Sequence, residues 1–94
     1  MKLIIRAAVR ADLSAIAAHI ARDNPQRAVS FAQELTNKIR VVAERPLTFP
    51  ARDEWQPGLR AALHTNYHII FRVEDDRVIV LRILHAARNI PDLL

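Results

Sequence analysis

The stretch from Arg77 to His85 constrains the fold more than any other part of the chain. It is almost entirely Val, Ile and Leu, and Arg82 is the one charged residue inside it. A run that is apolar at successive positions predicts a β-strand covered on most of both faces, which is a central strand of a sheet. Other parts of the chain must therefore pack against both faces of the sheet at this strand.

Arg82 needs a partner within such a strand. A guanidinium that leaves water without finding an acceptor is costly, and the few charges found inside proteins are usually paired. We expect Arg82 to pair with Glu74, Asp76 or a carbonyl of the C-terminal tail rather than to contact a target.

Two more strands precede this one. Leu59 to His64 is the first, and Tyr67 to Glu74 is the second, with alternating side chains that separate two faces. Thr65-Asn66 predicts a tight turn in which Asn66 takes the left-handed conformation, and Asp75-Asp76 predicts a second turn. Before them, Pro46 to Gly58 is an irregular connection in which Trp55 is expected to cover the edge of the core.

The first half of the chain predicts one strand and two helices. Lys2 to Val9 is the strand, and a helix follows from about Ala11 to near Asp23, with Asp12 in its first turn. Asn24-Pro25 provides an N-cap and a proline at the first position of a second helix, which Arg45-Pro46 ends. Glu34 and Lys38 are spaced to form an ion pair on its surface.

These elements predict a single small α+β domain spanning residues 1–94, in the order β-α-α-β-β-β. A helix hairpin, joined by its alanine-rich faces, packs on a mainly antiparallel twisted sheet. The expected shared core consists of Phe31, Leu35, Ile39, Ile69, Phe71, Ile79, Leu81 and Ile83.

Composition narrows the classes of function. There is no cysteine, and the one glycine excludes a glycine-rich phosphate loop. His64 and His68 flank a turn and are placed to approach each other, but no further ligand stands near them, so neither a metal nor another cofactor is expected. His19 is expected to face solvent.

Without a signal-peptide pattern, a cytoplasmic location is expected. The net charge of +4 suits a nucleic acid, the ribosome or an acidic protein, or is simply solvated surface charge.

The segment from Tyr67 to Arg88, YHIIFRVEDDRVIVLRILHAAR, resembles the C-terminal hairpin of RelE/ParE-superfamily toxins of type II toxin–antitoxin systems. Ala11-Asp12-Leu13, the helix from Pro25 to Leu35, Arg45-Pro46 and Gly58-Leu59-Arg60 also occur in the order typical of that superfamily. The turn Val73-Glu74-Asp75-Asp76 and the ending His85-Ala86-Ala87-Arg88-Asn89-Ile90 are more similar to the ParE, or plasmid-stabilisation, branch.

The resemblance implies a toxin that an antitoxin silences by lying across the helix hairpin and sheet. ParE-like members inhibit DNA gyrase by direct binding and arrest growth, and Arg72, His85 and Arg88 are then the expected target-binding residues. RelE-like members cleave mRNA on the ribosome, and the catalytic candidates would then be Arg60, Arg72, Arg82 and His85. The loop from Phe49 to Trp55 lacks the lysine-rich stretch of RelE, which favours the gyrase alternative. A third alternative is an inactive relic that only binds antitoxin.

Overall fold

The computed structural model describes all of residues 1–94. A four-stranded sheet carries both helices on one face and a short C-terminal turn on the other. The elements are β1 (Lys2–Ile5), α1 (Ala7–Ala21), α2 (Pro25–Glu44), β2 (Leu59–His64), β3 (Tyr67–Glu74) and β4 (Arg77–His85), with short 3-10 turns at Pro46–Thr48 and Ile90–Leu93. The predicted α+β class and the order β-α-α-β-β-β are confirmed.

The apolar strand β4 is central, as predicted. The strand order is β1-β4-β3-β2, in which β1 runs parallel to β4 and the other pairs are antiparallel. The bounds predicted for β2, β3 and β4 are all correct.

The start of α1 differs from the prediction. The strand ends at Ile5 and the helix begins at Ala7, so the expectation that the strand continues to Val9 is wrong. Val9 is instead fully buried in the helix, where it precedes Leu13, Ile16 and Ile20 at helical spacing. Asp12 is therefore well inside the helix rather than in its first turn.

The second helix begins as predicted. The Asn24 side chain accepts a hydrogen bond from the Arg27 backbone N–H at 3.0 Å, and Pro25 occupies the first turn. The predicted Glu34–Lys38 pair is absent. Glu34 binds Arg27 and His64, whereas the Lys38 ammonium lies 5.5 Å from the centre of the Phe49 ring.

The sheet has apolar side chains on both faces. The larger cluster lies under the helices and includes Val9, Ile16, Phe31, Leu35, Ile39, Val42, Ala62, Ile69, Phe71, Val78, Val80 and Ile83. On the opposite face, which we call the outer face, Leu59, Ile70, Leu84 and Ile90 form a smaller cluster that Trp55 and Leu81 cover. The edge position expected for Trp55 is confirmed.

A β-bulge explains why Ile83 does not share a face with Ile79 and Leu81, although all three are predicted to share one core. Ile70 pairs with Arg82 but Phe71 pairs with Val80, which leaves Leu81 as an extra residue in β4. Val78 and Val80 lie under the helices and Leu81 packs on the outer cluster, as regular alternation requires; the extra residue then reverses the alternation, so Ile83 lies under the helices. Ile79 is buried, but it pairs with Arg72 and lies outside the cluster under the helices.

The β2–β3 turn is correctly located but has a different backbone. Thr65 has a positive φ of 49° and Asn66 does not, so the expectation for Asn66 is wrong. A positive φ at the first turn position alone is the pattern of a type II′ turn, whose twist suits a hairpin. The Asn66 carbonyl accepts the Ala86 N–H at 2.7 Å and ties the turn to the end of β4.

Candidate functional site

Arg82 is held by an aspartate on α1. Its Nε donates to Asp12 Oδ2 at 2.8 Å and a terminal nitrogen donates to Asp12 Oδ1 at 2.9 Å, a two-pronged guanidinium–carboxylate contact. A third hydrogen bond runs to the Leu93 carbonyl at 3.3 Å. Hydrogen bonding to Asp12, partly offset by burial, raises the pKa of Arg82. The expected structural pairing and the tail carbonyl are confirmed, whereas Glu74 and Asp76 are not the partners.

The end of β1 explains why Asp12 is the partner. Its last pairing is Ile5 with Val80, so β4 has no strand neighbour on that side beyond Val80. Helix α1 crosses there, and Asp12 Oδ2 accepts the Ile83 backbone N–H at 2.9 Å. Asp12 thus replaces the missing strand as a hydrogen-bond acceptor and neutralises Arg82 with the same carboxylate.

Arg72 lies on the outer face beside Arg82. Both side chains line a shallow pocket with Arg6, Gln56, Leu81 and Leu93. The Arg72 side chain is 36% exposed and its guanidinium is 3.6 Å from Glu74, which also contacts Arg77. The Nε of Arg72 is buried and has no acceptor.

Arg60 is separated from Arg72 by the sheet. It pairs with Phe71, which packs under the helices, whereas Arg72 pairs with Leu59 of the outer cluster. Its guanidinium donates to the Phe49 carbonyl at 2.8 Å and so anchors the loop before β2.

His85 and Arg88 lie at the opposite end of β4 from Arg72. His85 pairs with Tyr67, and the two rings meet edge to face at 5.1 Å. Arg88 lines the same small pocket as His85, together with His19 and Asp12. Because Arg72 pairs with Ile79, His85 is six residues further along β4. At about 3.3 Å per residue, this separation is about 20 Å.

Neither the four ribonuclease candidates nor the three target-binding candidates all come together in one pocket. Of the four ribonuclease candidates, only Arg72 and Arg82 share a pocket. Of the three target-binding candidates, His85 and Arg88 share a pocket and Arg72 lies apart from them.

Comparison with known proteins identifies the family. A family model described as the ParE toxin of the type II toxin–antitoxin system parDE matches residues 3–90. The chain belongs to the ParE toxin family. A solved structure titled "Chromosomal ParDE TA system from P. aeruginosa" is similar to it with a TM-score of 0.80 and 25% identity, covering 90% of this chain and 95% of that chain. No curated protein matches. The resemblance to the ParE branch is confirmed.

Sequence reasoning missed an ion-pair network on this ParE-family fold. Glu34 contacts Arg27 on its own helix and His64 Nε2 on β2, the latter at 2.8 Å. The pKa of Glu34 is lowered mainly by its hydrogen bond from Arg27 and also by its hydrogen bond from His64. The i, i+7 spacing of Arg27 and Glu34 is a signal for one shared helix face, but nothing local in the sequence indicates His64.

The two histidines near the turn do not approach each other. His64 pairs with Tyr67 and His68 pairs with Leu63, so they point to opposite faces. His68 packs edge to face on Trp55 at 5.1 Å, and burial together with the charge of Arg52 lowers its pKa. No group of three His, Asp or Glu side chains is arranged to hold a metal ion. His19 is exposed, as expected.

An open groove runs between the two helices on the side away from the sheet. Both helices contribute small residues to its walls, and Arg40, Gln33 and Asn37 lie at its polar margin. Its apolar lining consists of Ala17, Ala18, Ala21, Pro25, Ala28, Val29 and Ala32. Val29 is 62% exposed, so the groove has an uncovered apolar surface. Neither helix is long and apolar enough to cross a membrane.

Proposed function

We propose that this ParE-family toxin blocks replication by binding DNA gyrase directly in the cytoplasm, and that a cognate antitoxin keeps it inactive. The observation that carries the proposal is the separation of the four residues that a ribonuclease would use. Cleavage at a 2′-hydroxyl needs a proton-transfer group within about 3 Å of the reacting atoms and cations beside the same phosphate. Arg72 is about 20 Å from His85 along the sheet, and Arg82, about 10 Å from His85 on the same strand, is occupied by Asp12.

The internal contacts of the arginines support the same interpretation. Arg82 is neutralised by Asp12, and Arg60 donates to the Phe49 carbonyl. A guanidinium committed to a structural acceptor has fewer donors left for a transition state. Inhibition by surface contact does not require those residues to converge, so the arrangement is compatible with a toxin that acts by binding.

Arg72, His85 and Arg88 remain the proposed target-binding residues. Arg88 is exposed and forms no ion pair, and Arg72 has only the distant contact with Glu74. An exposed cation such as Arg88 adds little to folding but guides and orients a partner of opposite charge, and the half-buried Arg72 still has an accessible guanidinium.

We assign the antitoxin to the groove between α1 and α2. The solved relative named above is a ParDE toxin–antitoxin system, and a groove lined by alanines admits an amphipathic helix closely. Its apolar lining would receive the apolar side of that helix. Arg40 at the margin would suit an acidic residue of the partner.

The target is tested with purified protein in two assays run in parallel. A gyrase toxin inhibits supercoiling or traps cleaved DNA, and leaves mRNA on translating ribosomes intact. Codon-phased mRNA cuts with normal gyrase activity would instead establish the RelE-like ribonuclease. Inactivity in both assays, with antitoxin binding retained, would identify the relic.

The antitoxin site is tested with two valines of α2. Val29 lies in the groove and Val41, which is 42% exposed, does not line it. Val29→Glu should weaken antitoxin binding at least tenfold, because it places a charge against the apolar side of the helix. Val41→Glu is the matched control and should bind normally. Equal affinities of the two variants would contradict the groove assignment.

A further inference from the structure

A small pocket forms where α1 crosses the end of β4. We call it the His85 pocket. Four side chains able to donate hydrogen bonds line it, namely His19, Tyr67, His85 and Arg88. Its remaining walls include the apolar residues Ala15, Ile16 and Ile83. Polar donors around an apolar base are typical of a site that orients one acceptor group.

The backbone fixes the tautomer of His85. The Ala87 N–H lies 3.0 Å from His85 Nδ1. Because a backbone N–H only donates, Nδ1 must be the acceptor, and the proton of the neutral ring is therefore on Nε2. The Tyr67 ring, edge to face at 5.1 Å, restricts the plane of the imidazole. His85 thus presents an oriented N–H donor that does not require a positive charge.

The charges around the pocket leave one cation unpaired. Asp12 is the only acid lining it, and its carboxylate accepts three hydrogen bonds, two from Arg82 and one from the Ile83 N–H. Arg88 has no ion pair or side-chain hydrogen bond, so its charge is available. The pocket therefore combines one free positive charge with neutral donors, and its single acid is already neutralised.

We infer that the His85 pocket binds one carboxylate, provided by an acidic side chain of a partner protein, with His85 donating from Nε2 and Arg88 balancing the charge. One unpaired guanidinium matches the single charge of a carboxylate. A nucleic-acid backbone is instead held by several cations along its track. The assignment to a partner's side chain rests on the proposed binding function, whereas carboxylate binding itself does not.

The inference is tested by nuclear magnetic resonance on the full chain, with sodium acetate as the probe and sodium chloride at matched ionic strength as the control. Acetate should produce saturable shifts at the His85 ring nitrogens and at the Ala87 and Arg88 amides. Arg88→Gln should weaken acetate binding about tenfold, because a charge-assisted contact is lost. Arg88→Lys should retain most of the affinity.

Two amide variants of His85 distinguish a donor at the position of Nε2 from a donor at the position of Nδ1. Glutamine places an amide N–H near the position of Nε2, whereas asparagine places it near Nδ1. His85→Gln should therefore retain acetate binding within about threefold and His85→Asn should lose about tenfold. Thermal melting of each variant shows whether the fold is retained. If the His85→Gln protein is folded but binds acetate as weakly as His85→Asn, His85 is not the donor and the inference is wrong.

Two further probes define the ligand. Glutamate with both backbone ends blocked should bind at least as well as acetate. If it produces no shift, the pocket takes a free small acid and not a protein side chain. Inorganic phosphate that saturates at lower concentration than acetate, or chloride that produces the same shifts, would overturn carboxylate selectivity. None of these measurements uses gyrase, so their failure is distinct from failure of the proposed target.

Discussion

Removing the Asp12 carboxylate tests how this fold is held together. Asp12→Ala leaves the Arg82 guanidinium, whose side chain is 29% exposed, without its acidic partner and leaves the Ile83 N–H without an acceptor. Breaking a buried ion pair costs about 3–5 kcal/mol, and partial exposure of Arg82 reduces that figure. An unsatisfied backbone N–H adds about 1 kcal/mol. We therefore expect Asp12→Ala to lower the free energy of unfolding by about 2–4 kcal/mol.

Asp12→Asn separates the two contributions. The amide oxygen can still accept the Ile83 N–H, but the negative charge is lost, so its cost should be lower than that of Ala by about 1 kcal/mol. Arg82→Met removes the charge and keeps an apolar stem, and the Asp12→Ala/Arg82→Met double variant measures the coupling, expected at about 1–3 kcal/mol.

Urea unfolding followed by fluorescence of Trp55, the only tryptophan, gives these free energies. The reasoning is refuted if Asp12→Ala is within about 0.5 kcal/mol of the parent, the range of ordinary surface substitutions.

Five other outcomes are expected. Phe31→Ala should cost about 3–5 kcal/mol in urea unfolding, because Phe31 is 4% exposed in the larger cluster; parental stability would contradict this. Leu81→Ala, on the partly exposed outer cluster, should cost less than Phe31→Ala. Because the folded pKa of Glu34 is lowered, its contribution is present above the unfolded value of about 4.3 and is lost as pH falls through the folded pKa. The stability difference between parent and Glu34→Gln should therefore shrink below about pH 4.3, and a constant difference in urea titrations would argue against it. Arg72→Ala should reduce gyrase inhibition more than it reduces stability, and a saturating antitoxin should raise the melting temperature of the parent.

Strands β2, β3 and β4 and the start of α2 were predictable because their signals are local. Apolar continuity located β4, alternation located β3, and Asn24-Pro25 located the start of α2. The limits of local reasoning appear at the bulge, where one extra residue puts Ile83 on the opposite face from Leu81. The partner of Arg82 was equally inaccessible, because Asp12 is 70 residues away and meets Arg82 only because β1 ends at Ile5. Val9 is β-branched and follows a strand, so its local propensity favours more strand, but its packing against the sheet places it in α1.

The candidate residues show why charge by itself does not locate function in a small basic protein. The chain has 14 Lys and Arg residues, so several lie near any surface that is considered. Internal contacts distinguish structural arginines from those available to a partner. Arg82 is bound to Asp12 and Arg60 to the Phe49 carbonyl, whereas Arg88 is exposed and has no internal partner. Removing a cation that stabilises the fold lowers the stability of the protein. Removing a cation that contacts a partner lowers the affinity for that partner. Comparing unfolding free energy with partner affinity for Arg82→Ala and Arg88→Ala should therefore give opposite patterns, and matching losses in both measurements for both variants would show that this separation is wrong.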